Sequence, residues 1–357
     1  MEYSPYHRID YLDELATVDD VYDRAVKTDV SDLAAWLRSH QDRPLLAVGA
    51  GGSLAPAQMA AYLHHKATGR LGRAGEPMDL FHRSAAWRDT AGLLVTASGS
   101  HSDSLAACQH LAESGGDWGV FAGKEHSPGA DLLAGSGVPV FGYDLLPEVH
   151  CWISVTALLG QTVVLARAFA EAYPQLGHVP STFADVLPAG ADGVDDAVGS
   201  LEREFGAALT RRRLAFLYGP DTRSAALDLD SKFAESDLGW LTLHEYRNFA
   251  HGRYQMLLPE LAEHGVLAFV SQSEQAIAEA TFKEIPAPIA SATMRLPELT
   301  PAGEQVAAIA HLLMLVGALG RVRGLHPGWG SKGTFGDVLY QFELARFFPA
   351  DAHDQRG

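Results

Sequence analysis

The chain has 357 residues and a formal net charge of −17, from 27 Lys and Arg against 44 Asp and Glu. This length is enough for two domains with complete cores. The hydrophobic fraction of 47% is that of an ordinary globular protein. The negative charge argues against nucleic acid or an anionic membrane surface as a partner, since either would repel the chain. A local group of backbone N–H groups can still bind a small anion.

Several features of the sequence favour a cytoplasmic protein. The first thirty residues carry acidic side chains throughout and lack the pattern of a signal peptide. The apolar runs 153–170 and 306–319 contain polar residues or are short for a membrane span, so we interpret both as buried core helices. Cys108 and Cys151 lie in apolar surroundings and are predicted to be reduced core thiols.

The alternation of apolar runs predicts two similar domains. Residues 1–40 are predicted to form an acidic helical arm that packs on the first domain or on a partner subunit. The first domain, 41–172, has predicted strands at 45–48, 78–81, 93–95, 118–122 and 138–141, and an apolar helix over 153–170 closes it. Residues 173–212 are predicted to be a connector with a helix from about 194 to 209. The second domain, 213–345, has predicted strands at 214–218, 241–243, 266–270 and 292–296, helices at 225–235, 274–281 and 303–319, and a tail over 346–357. Short apolar strands separated by helices predict doubly wound parallel sheets in both domains.

Two glycine-containing turns follow predicted strands of the first domain. One runs from Gly49 to Ser53, and the other is a run of small hydroxyl residues from Thr96 to Ser104. A turn that leads from a strand into a helix aims hydroxyls and backbone N–H groups at one point, where the helix N-terminus adds partial positive charge. The second turn alone fits an anion site and an ordinary strand–helix connection capped by Asp103 or Ser104 equally well.

The stretch Thr96–Ser104 reads T-A-S-G-S-H-S-D-S and resembles the signature S-x-S-G-x-T-x-D-[ST] of the sugar isomerase (SIS) domain family. The turn Gly49–Ser53 resembles the G-x-S turn after the first strand of that family. Glu235 and His251 lie sixteen residues apart, in K-x-x-E and H-E-Y-R-N-F-A-H-G contexts, and resemble a Glu and a His of the isomerase half of glucosamine-6-phosphate synthase. The resemblance covers roughly residues 40–340. It implies two SIS domains, each a doubly wound, flavodoxin-like (Rossmann-type) three-layer α/β/α unit with a parallel sheet.

By this resemblance the chain is expected to act on a phosphorylated sugar or amino sugar, as an isomerase or a deaminating isomerase. Such a reaction needs a base that moves a proton between C1 and C2, and a group that opens the sugar ring. The resemblance assigns the first role to Glu235, at a helix end where partial burial would favour a protonated carboxyl. It assigns ring opening to His251, delivered into the site of a neighbouring subunit. Lys332 resembles the lysine near the C-terminus of the synthase that closes over the sugar.

The resemblance also assigns substrate or phosphate contacts to small and polar residues of the turns. These are Gly51, Gly52, Ser53, Thr96, Ala97, Ser98, Ser100, His101, Ser154 and Arg247. Ser154 alternatively caps the closing helix of the first domain. Arg247 and Arg253 fit phosphate contacts and ion pairs with carboxylates equally well. Glu245 is expected to orient the loop around His251.

Two positions depart from the pattern of the family. The threonine of its phosphate turn is His101 here, and the threonine before its first serine is Gly52. Each lost hydroxyl removes a hydrogen bond worth about 1 kcal/mol. A protonated His101 could replace that loss by one charge-assisted hydrogen bond. The alternative is a ligand that carries a different anionic or neutral group.

Two further functions remain open from the sequence. One is a deglycase that releases an amine from a ketose-amine phosphate, and the other is a sugar-phosphate-binding regulator without turnover. Regulators of that kind usually carry a DNA-binding helix-turn-helix, which the acidic first forty residues do not resemble. The sixteen histidines show no H-x-x-x-H or H-E-x-x-H spacing, so no metal and no other cofactor is expected. The expected partners are a small sugar phosphate and a second copy of the chain, in a homodimer with shared sites.

Overall fold

A computed structural model describes residues 9–81, 89–114, 116–147, 149–329, 335–340 and 342–347. Within these ranges the first sheet has five strands, β1 (Leu45–Gly49), β2 (Gly72–Gly75), β3 (Ala91–Thr96), β4 (Trp118–Ala122) and β5 (Val140–Gly142). All are parallel and lie in the order β2-β1-β3-β4-β5. This is the flavodoxin-like order, in which the chain reverses its direction of winding between β1 and β3.

The second sheet repeats this plan. Its strands in the described part of the chain are β6 (Arg213–Tyr218), β7 (Trp240–Glu245), β8 (His264–Val270) and β9 (Ala290–Arg295). They are parallel and lie in the order β7-β6-β8-β9, which matches the first four strands of the first sheet. The predicted doubly wound α/β fold with two parallel sheets is therefore confirmed.

Helices connect and cover the strands. They are α1 (Tyr11–Leu15), α2 (Val18–Ala25), α3 (Ser31–Ser39), α4 (Leu54–Thr68), α5 (Pro77–Phe81), α6 (Ser102–Ser114), α7 (Pro128–Leu133), α8 (Thr156–Ala172), α9 (Val194–Leu209), α10 (Arg223–Glu235), α11 (Tyr246–Ala250), α12 (Gln275–Lys283), α13 (Pro301–Arg323) and α14 (Phe335–Tyr340). Short 3₁₀ turns occupy 51–53, 174–176, 183–186, 253–257, 261–263, 272–274 and 344–346.

The two sheets share one large core. Successive residues of a strand point to opposite faces. In β1, Leu45 and Ala47 therefore enter a core that also contains α8, α9, α10 and α13, whereas Leu46 and Val48 enter a smaller core under α5–α7. In β6, Leu214 and Phe216 enter the shared core, while Ala215 and Leu217 face α11 and α12. The helices between the two sheets thus belong to both domains and fix how the domains face each other.

The longest helix of the described residues, α13, lies in this shared core. It has 23 residues, and its most apolar window of 18 residues has a mean hydropathy of 1.6, so by length and composition it could cross a membrane. However, 89% of its apolar window is buried inside the protein. Burial on all sides explains why the helix is apolar around its whole circumference. Both apolar runs of the sequence, here α8 and α13, are buried helices as predicted.

The N-terminal arm is helical as predicted and packs on both domains. The hydroxyl of Tyr11 donates to the carbonyl of Leu313 in α13 at 2.8 Å. The buried carboxylate of Glu14 accepts hydrogen bonds from Cys151 N at 2.6 Å, and from Thr156 N and Oγ1 at 3.1 and 2.7 Å. Glu14 therefore satisfies free donors at the start of α8.

One predicted strand is wrong. Residues 78–81 lie in helix α5, which begins at Pro77, and the second strand is Gly72–Gly75. This strand, with the sequence G-R-A-G, has no apolar run that would have revealed it. It needs glycine because a Cβ atom on Gly72 would lie 1.9 Å from the carbonyl oxygen of Ala61 in α4. Close packing of α4 against the edge of the sheet thus overrides the preference of strands for bulky residues.

Candidate functional site

The two turns singled out in the sequence meet at the point where the winding of the first sheet reverses. Gly49, at the end of β1, pairs with Val95 near the end of β3. The turns after these strands therefore lie side by side at the carboxyl edge of the sheet, where ligands bind in open α/β folds. Gly51 and Gly99 have φ angles of 51° and 62°, which favour glycine.

The first turn is closely packed. A Cβ atom on Gly49 would lie 2.3 Å from the carbonyl oxygen of Ser53. A Cβ atom on Gly52 would lie 3.0 Å from Cβ of Ser154, so a threonine at position 52 would crowd the start of α8. The short distance between Gly52 and Ser154 explains why this chain has glycine where the family has threonine. Ser53 is buried, and its hydroxyl lies 3.5 Å from Oε1 of Gln161.

In the second turn the hydroxyls have different tasks. Thr96 is buried, and its Oγ1 lies 3.0 Å from Ser104 Oγ and accepts from Gly99 N at 3.2 Å, so it holds the turn together. Ser98 Oγ and Ser100 Oγ lie 2.7 Å apart, with Ser100 exposed. Ala97 is half-buried beside them. Ser98 and Ser100 are therefore the hydroxyls of this turn that are placed to meet a ligand.

His101 is turned toward the first turn of α6. Its Nδ1 accepts a hydrogen bond from Asp103 N at 3.3 Å and lies 3.6 Å from Asp103 Oδ2. Its ring packs edge-on against Tyr340 of α14, with ring centroids 4.4 Å apart. The other ring nitrogen, Nε2, is buried and has no hydrogen-bond partner among the described residues. In the neutral ring that accepts at Nδ1, Nε2 carries the hydrogen and is the atom left to donate.

A cavity of about 280 Å³ opens beside these turns, between the two domains. Its lining comes from the Gly51 turn, the residues after β2, the start of α6 and one face of α10. The lining residues that matter most for its chemistry are Gly51, Glu76, Asp103, Asp228 and Ser231. The cavity thus joins the first glycine turn to the helix that carries Glu235.

A buried ion pair lies in α10 next to this cavity. Lys232 Nζ lies 2.9 Å from Asp228 Oδ2, with both side chains at most 2% exposed, and donates to the carbonyl of Ser154 at 2.7 Å. Burial raises the pKa of the Asp228 carboxyl, and the neighbouring ammonium opposes that rise. The spacing of four residues on one helix is a signal from which the pair could have been predicted.

Glu235 ends α10 and is exposed, so the expected partial burial is wrong. Its Oε1 accepts a hydrogen bond of 2.5 Å from Ser231 Oγ. Because Ser231 lines the cavity, the carboxylate of Glu235 lies one hydrogen bond away from it.

His251 follows α11 and is also exposed. As expected, Glu245 orients this loop, since its Oε2 accepts from Arg247 N at 3.0 Å and Asn248 N at 2.9 Å. The side chains of Arg247 and Arg253 are exposed. Both arginines therefore remain accessible to a ligand or a partner.

The topology separates Glu235 from His251 within one chain. Helix α10 returns from the carboxyl end of β6 to the amino end of β7, whereas α11 follows the carboxyl end of β7. The six residues of β7 span roughly 17 Å at about 3.3 Å per residue. The two side chains therefore belong to opposite ends of the strands of the second sheet. Lys332 lies outside the described residues.

A comparison with solved structures finds the same fold in proteins that act on sugar phosphates. The C-terminal domain of glucosamine-fructose-6-phosphate aminotransferase from Francisella tularensis matches with a TM-score of 0.69 and 12% identity, over 90% of this chain and 98% of that one. Tagatose-6-phosphate ketose/aldose isomerase from Escherichia coli matches with a TM-score of 0.64 and 18% identity, over 90% and 96%. Glucosamine-6-phosphate deaminase from Thermotoga maritima matches with a TM-score of 0.64 and 13% identity, over 89% and 96%.

These structures share the fold of this chain. Its two parallel α/β sheets with helices on both sides are the architecture that the sequence resemblance implied. A scan with models of protein families finds no match in this sequence, and a comparison with curated proteins finds none either.

Proposed function

We propose that this protein is a sugar-phosphate isomerase or deaminating isomerase in which Glu235 transfers the proton between C1 and C2. The observation that carries the proposal is the chain of contacts from the cavity to Glu235. Ser231 lines the cavity together with Gly51 and donates to Glu235 Oε1 at 2.5 Å. A sugar held at the Gly51 turn thus lies near the carboxylate of Glu235, with only the side chain of Ser231 between them.

The second turn supports a phosphate contact on the same side of the sheet. Ser98 and Ser100 supply hydroxyls, and Nε2 of His101 supplies a donor that no described residue occupies. A phosphate bound there would lie beside the cavity, at the N-terminus of α6. The names of the three similar structures, which all contain a 6-phosphate sugar, support this assignment.

We further propose that the protein is a cytoplasmic homodimer in which His251 completes the site of the partner subunit. Glu235 and His251 lie at opposite ends of the strands of the second sheet, so one chain does not bring them together. Large apolar side chains are exposed in the segment that follows His251, with Tyr254 at 42% and Leu258 at 58% exposure. Such exposure is typical of a surface that a partner covers.

The exposure of Glu235 favours a second candidate, a sugar-phosphate-binding regulator without turnover. A carboxyl that transfers protons commonly needs partial burial, which Glu235 lacks in this chain. A deglycase that releases an amine from a ketose-amine phosphate would use the same cavity and the same carboxylate.

Exchange of substrate hydrogen with solvent tests the proton transfer directly. The wild-type protein is incubated in D₂O with hexose and hexosamine 6-phosphates, and NMR follows deuterium entering C1 or C2. We expect incorporation with at least one sugar, and the variant Glu235→Gln should slow it by about 10² to 10⁴. Glu204→Gln, on the exposed face of α9, is the matched control and should leave the rate unchanged.

The same panel separates the alternatives. If the wild-type protein binds these sugars but none of them exchanges hydrogen with solvent, the result would favour the regulator. Release of a free amine from a ketose-amine phosphate would favour the deglycase.

A further inference from the structure

The second sheet has its own pair of turns at the point where its winding reverses. Because the two sheets share one strand order, the turns after β6 and β8 correspond to the turns after β1 and β3 of the first sheet. The turn over 219–222 leads into α10, and the turn over 271–274 leads into α12. Leu217, near the end of β6, pairs with Ala268 in β8, so both turns lie at the carboxyl edge of the sheet. This place is equivalent to the candidate phosphate site of the first sheet.

The carboxylate of Glu274 fills this place. Glu274 is 4% exposed, and its Oε1 accepts from Asp221 N at 2.9 Å while its Oε2 accepts from Thr222 Oγ1 at 3.0 Å. A Cβ atom on Gly219 would lie 2.3 Å from the same Oε1, so the glycine lets the carboxylate approach the turn. A backbone N–H and a hydroxyl before a helix are donors of the kind that bind phosphate. Here a side chain of the protein itself uses both.

A second buried carboxylate uses the hydroxyls of the neighbouring turn. Asp221 is 3% exposed, and its Oδ2 accepts from Ser271 Oγ at 2.9 Å and from Ser273 Oγ. Its Oδ1 accepts from the hydroxyl of Tyr62 and lies 3.3 Å from Lys66 Nζ. Because Tyr62 and Lys66 belong to α4, the turn of the second sheet is joined to a helix of the first domain.

The two sheets therefore use equivalent turns in different ways. In the first sheet the hydroxyls of Ser98 and Ser100 bond to each other, and Ser100 is exposed. In the second sheet a phosphate would meet the charges of two buried carboxylates, which would repel it. We propose that the turn after β6 is an anion site that the carboxylate of Glu274 occupies from within, and that a bound phosphate is confined to the first sheet. This inference goes beyond the proposed function, since it concerns the second sheet and holds for any phosphate ligand.

Chemical rescue tests the occupied site. Glu274→Ala removes one CH₂–COO⁻ group, which acetate matches in size and charge. We expect this variant to unfold at a lower temperature than the wild type, and about 100 mM acetate should raise its midpoint by several degrees relative to chloride. Acetamide, which has a similar shape without the charge, should not. The wild type should show no such rise, because its own carboxylate fills the place.

The pH of this experiment matters. Burial and the charge of Asp221 raise the pKa of Glu274, while the hydrogen bonds from Asp221 N and Thr222 oppose that rise. The measurements are therefore made at about pH 8, which favours the ionised form of a carboxyl group.

Two control variants keep the readout specific. Lys232→Met also removes a buried charge, but it opens no place for an anion, so it should stay destabilised in acetate. Glu284→Ala, at the exposed residue after α12, should neither lose much stability nor respond to acetate. If Glu274→Ala does not fold in chloride, its refolding yield in acetate relative to acetamide gives the same comparison.

The close approach at Gly219 provides an independent measurement. A methyl group at this position would push the carboxylate of Glu274 away from the turn, so Gly219→Ala should lower the unfolding midpoint of the wild type. In the Glu274→Ala background the same change should cost much less, because the atoms that it would meet are gone. Equal shifts in the two backgrounds would overturn the proposal. A response of Glu274→Ala to acetate no larger than that of the wild type, or one that acetamide reproduces, would overturn it too.

Discussion

Lys232 in the second domain donates a hydrogen bond of 2.7 Å to the carbonyl of Ser154 in the first. The two residues are 78 positions apart, and their contact joins α10 to the start of α8 beside the cavity. The same ammonium pairs with Asp228 at 2.9 Å. One buried cation therefore connects the domains at the wall of the candidate site.

Removal of this cation should destabilise the fold. In Lys232→Met the carboxylate of Asp228 stays buried without its partner, so we expect the free energy of unfolding to fall by about 3 to 5 kcal/mol. Urea denaturation measures this. Replacing both residues, as Asp228→Leu with Lys232→Met, should recover much of the loss. The control Lys27→Met breaks a pair of the same i,i+4 spacing on the exposed surface, with Asp23, and should cost less than about 1 kcal/mol. Equal losses in the two single variants would contradict the prediction.

The carboxylate of Glu14 should be needed to hold the arm on α8. Glu14→Ala leaves Cys151 N, Thr156 N and Thr156 Oγ1 without their acceptor. Hydrogen bonds to a buried charged group are worth about 1.5 to 3 kcal/mol each, so we expect a loss of at least about 3 kcal/mol, measured by urea denaturation. Asp13→Ala, at the neighbouring exposed position of α1, is the matched control. A loss no larger than that of the control would mean that water replaces the carboxylate.

Glu304 should make stability depend on pH. It is buried at the start of α13, and burial together with the nearby carboxylate of Asp221 raises its pKa from 4.5 to about 7, although Lys66 opposes the rise. The folded state then holds a proton that the unfolded state releases above its ordinary pKa. This contribution is complete below about pH 4.5 and is lost as pH rises through 7, by up to about 3 kcal/mol.

The variant Glu304→Gln isolates this contribution. The amide keeps the shape but does not titrate, so the variant should gain stability relative to the wild type as pH rises from about 5 to 7.5. Taking the difference between the two proteins removes the effects of other groups, such as Glu274, whose pKa burial raises too, and His311, whose pKa burial lowers to about 4. Glu298→Gln, at an exposed position before α13, is the control. A difference between Glu304→Gln and wild type that does not change with pH would exclude Glu304 as the titrating group.

Mixed dimers should show whether sites are shared. Glu235→Gln and His251→Asn should each be inactive as homodimers. When the two variants are co-expressed, half of the dimers contain one chain of each variant. If His251 comes from the partner, one of the two sites in such a mixed dimer has both native residues. We therefore expect about a quarter of the wild-type activity in the mixture. If each chain completes its own site, the mixed dimers stay inactive. Light scattering should first show a dimer at micromolar concentration.

Local patterns in the amino-acid sequence were enough to predict the fold class and the place of the two glycine turns in it. Apolar runs such as Leu93–Val95 predict buried strands because parallel sheets are covered on both faces. Glycine turns after two of those strands are predicted to meet because the carboxyl ends of parallel strands share one edge. Strand β3 and the position of the turn after it confirm both predictions. The edge strand Gly72–Gly75 was not predicted. Its small residues are needed because α4 packs closely against it, and a local sequence pattern does not show that contact.

Which side chains surround the cavity, and how exposed each one is, follows from tertiary packing alone. The predicted base Glu235 is exposed, whereas Asp228, about two helical turns earlier in α10, lines the cavity. Glu14 caps a helix that begins 142 positions later in the chain. Contacts of this kind depend on how helices pack between two sheets, and packing is a property of surfaces brought together from distant parts of the chain. The amino-acid sequence shows which residues have reactive or binding side chains, and the tertiary structure determines which of them line the same cavity.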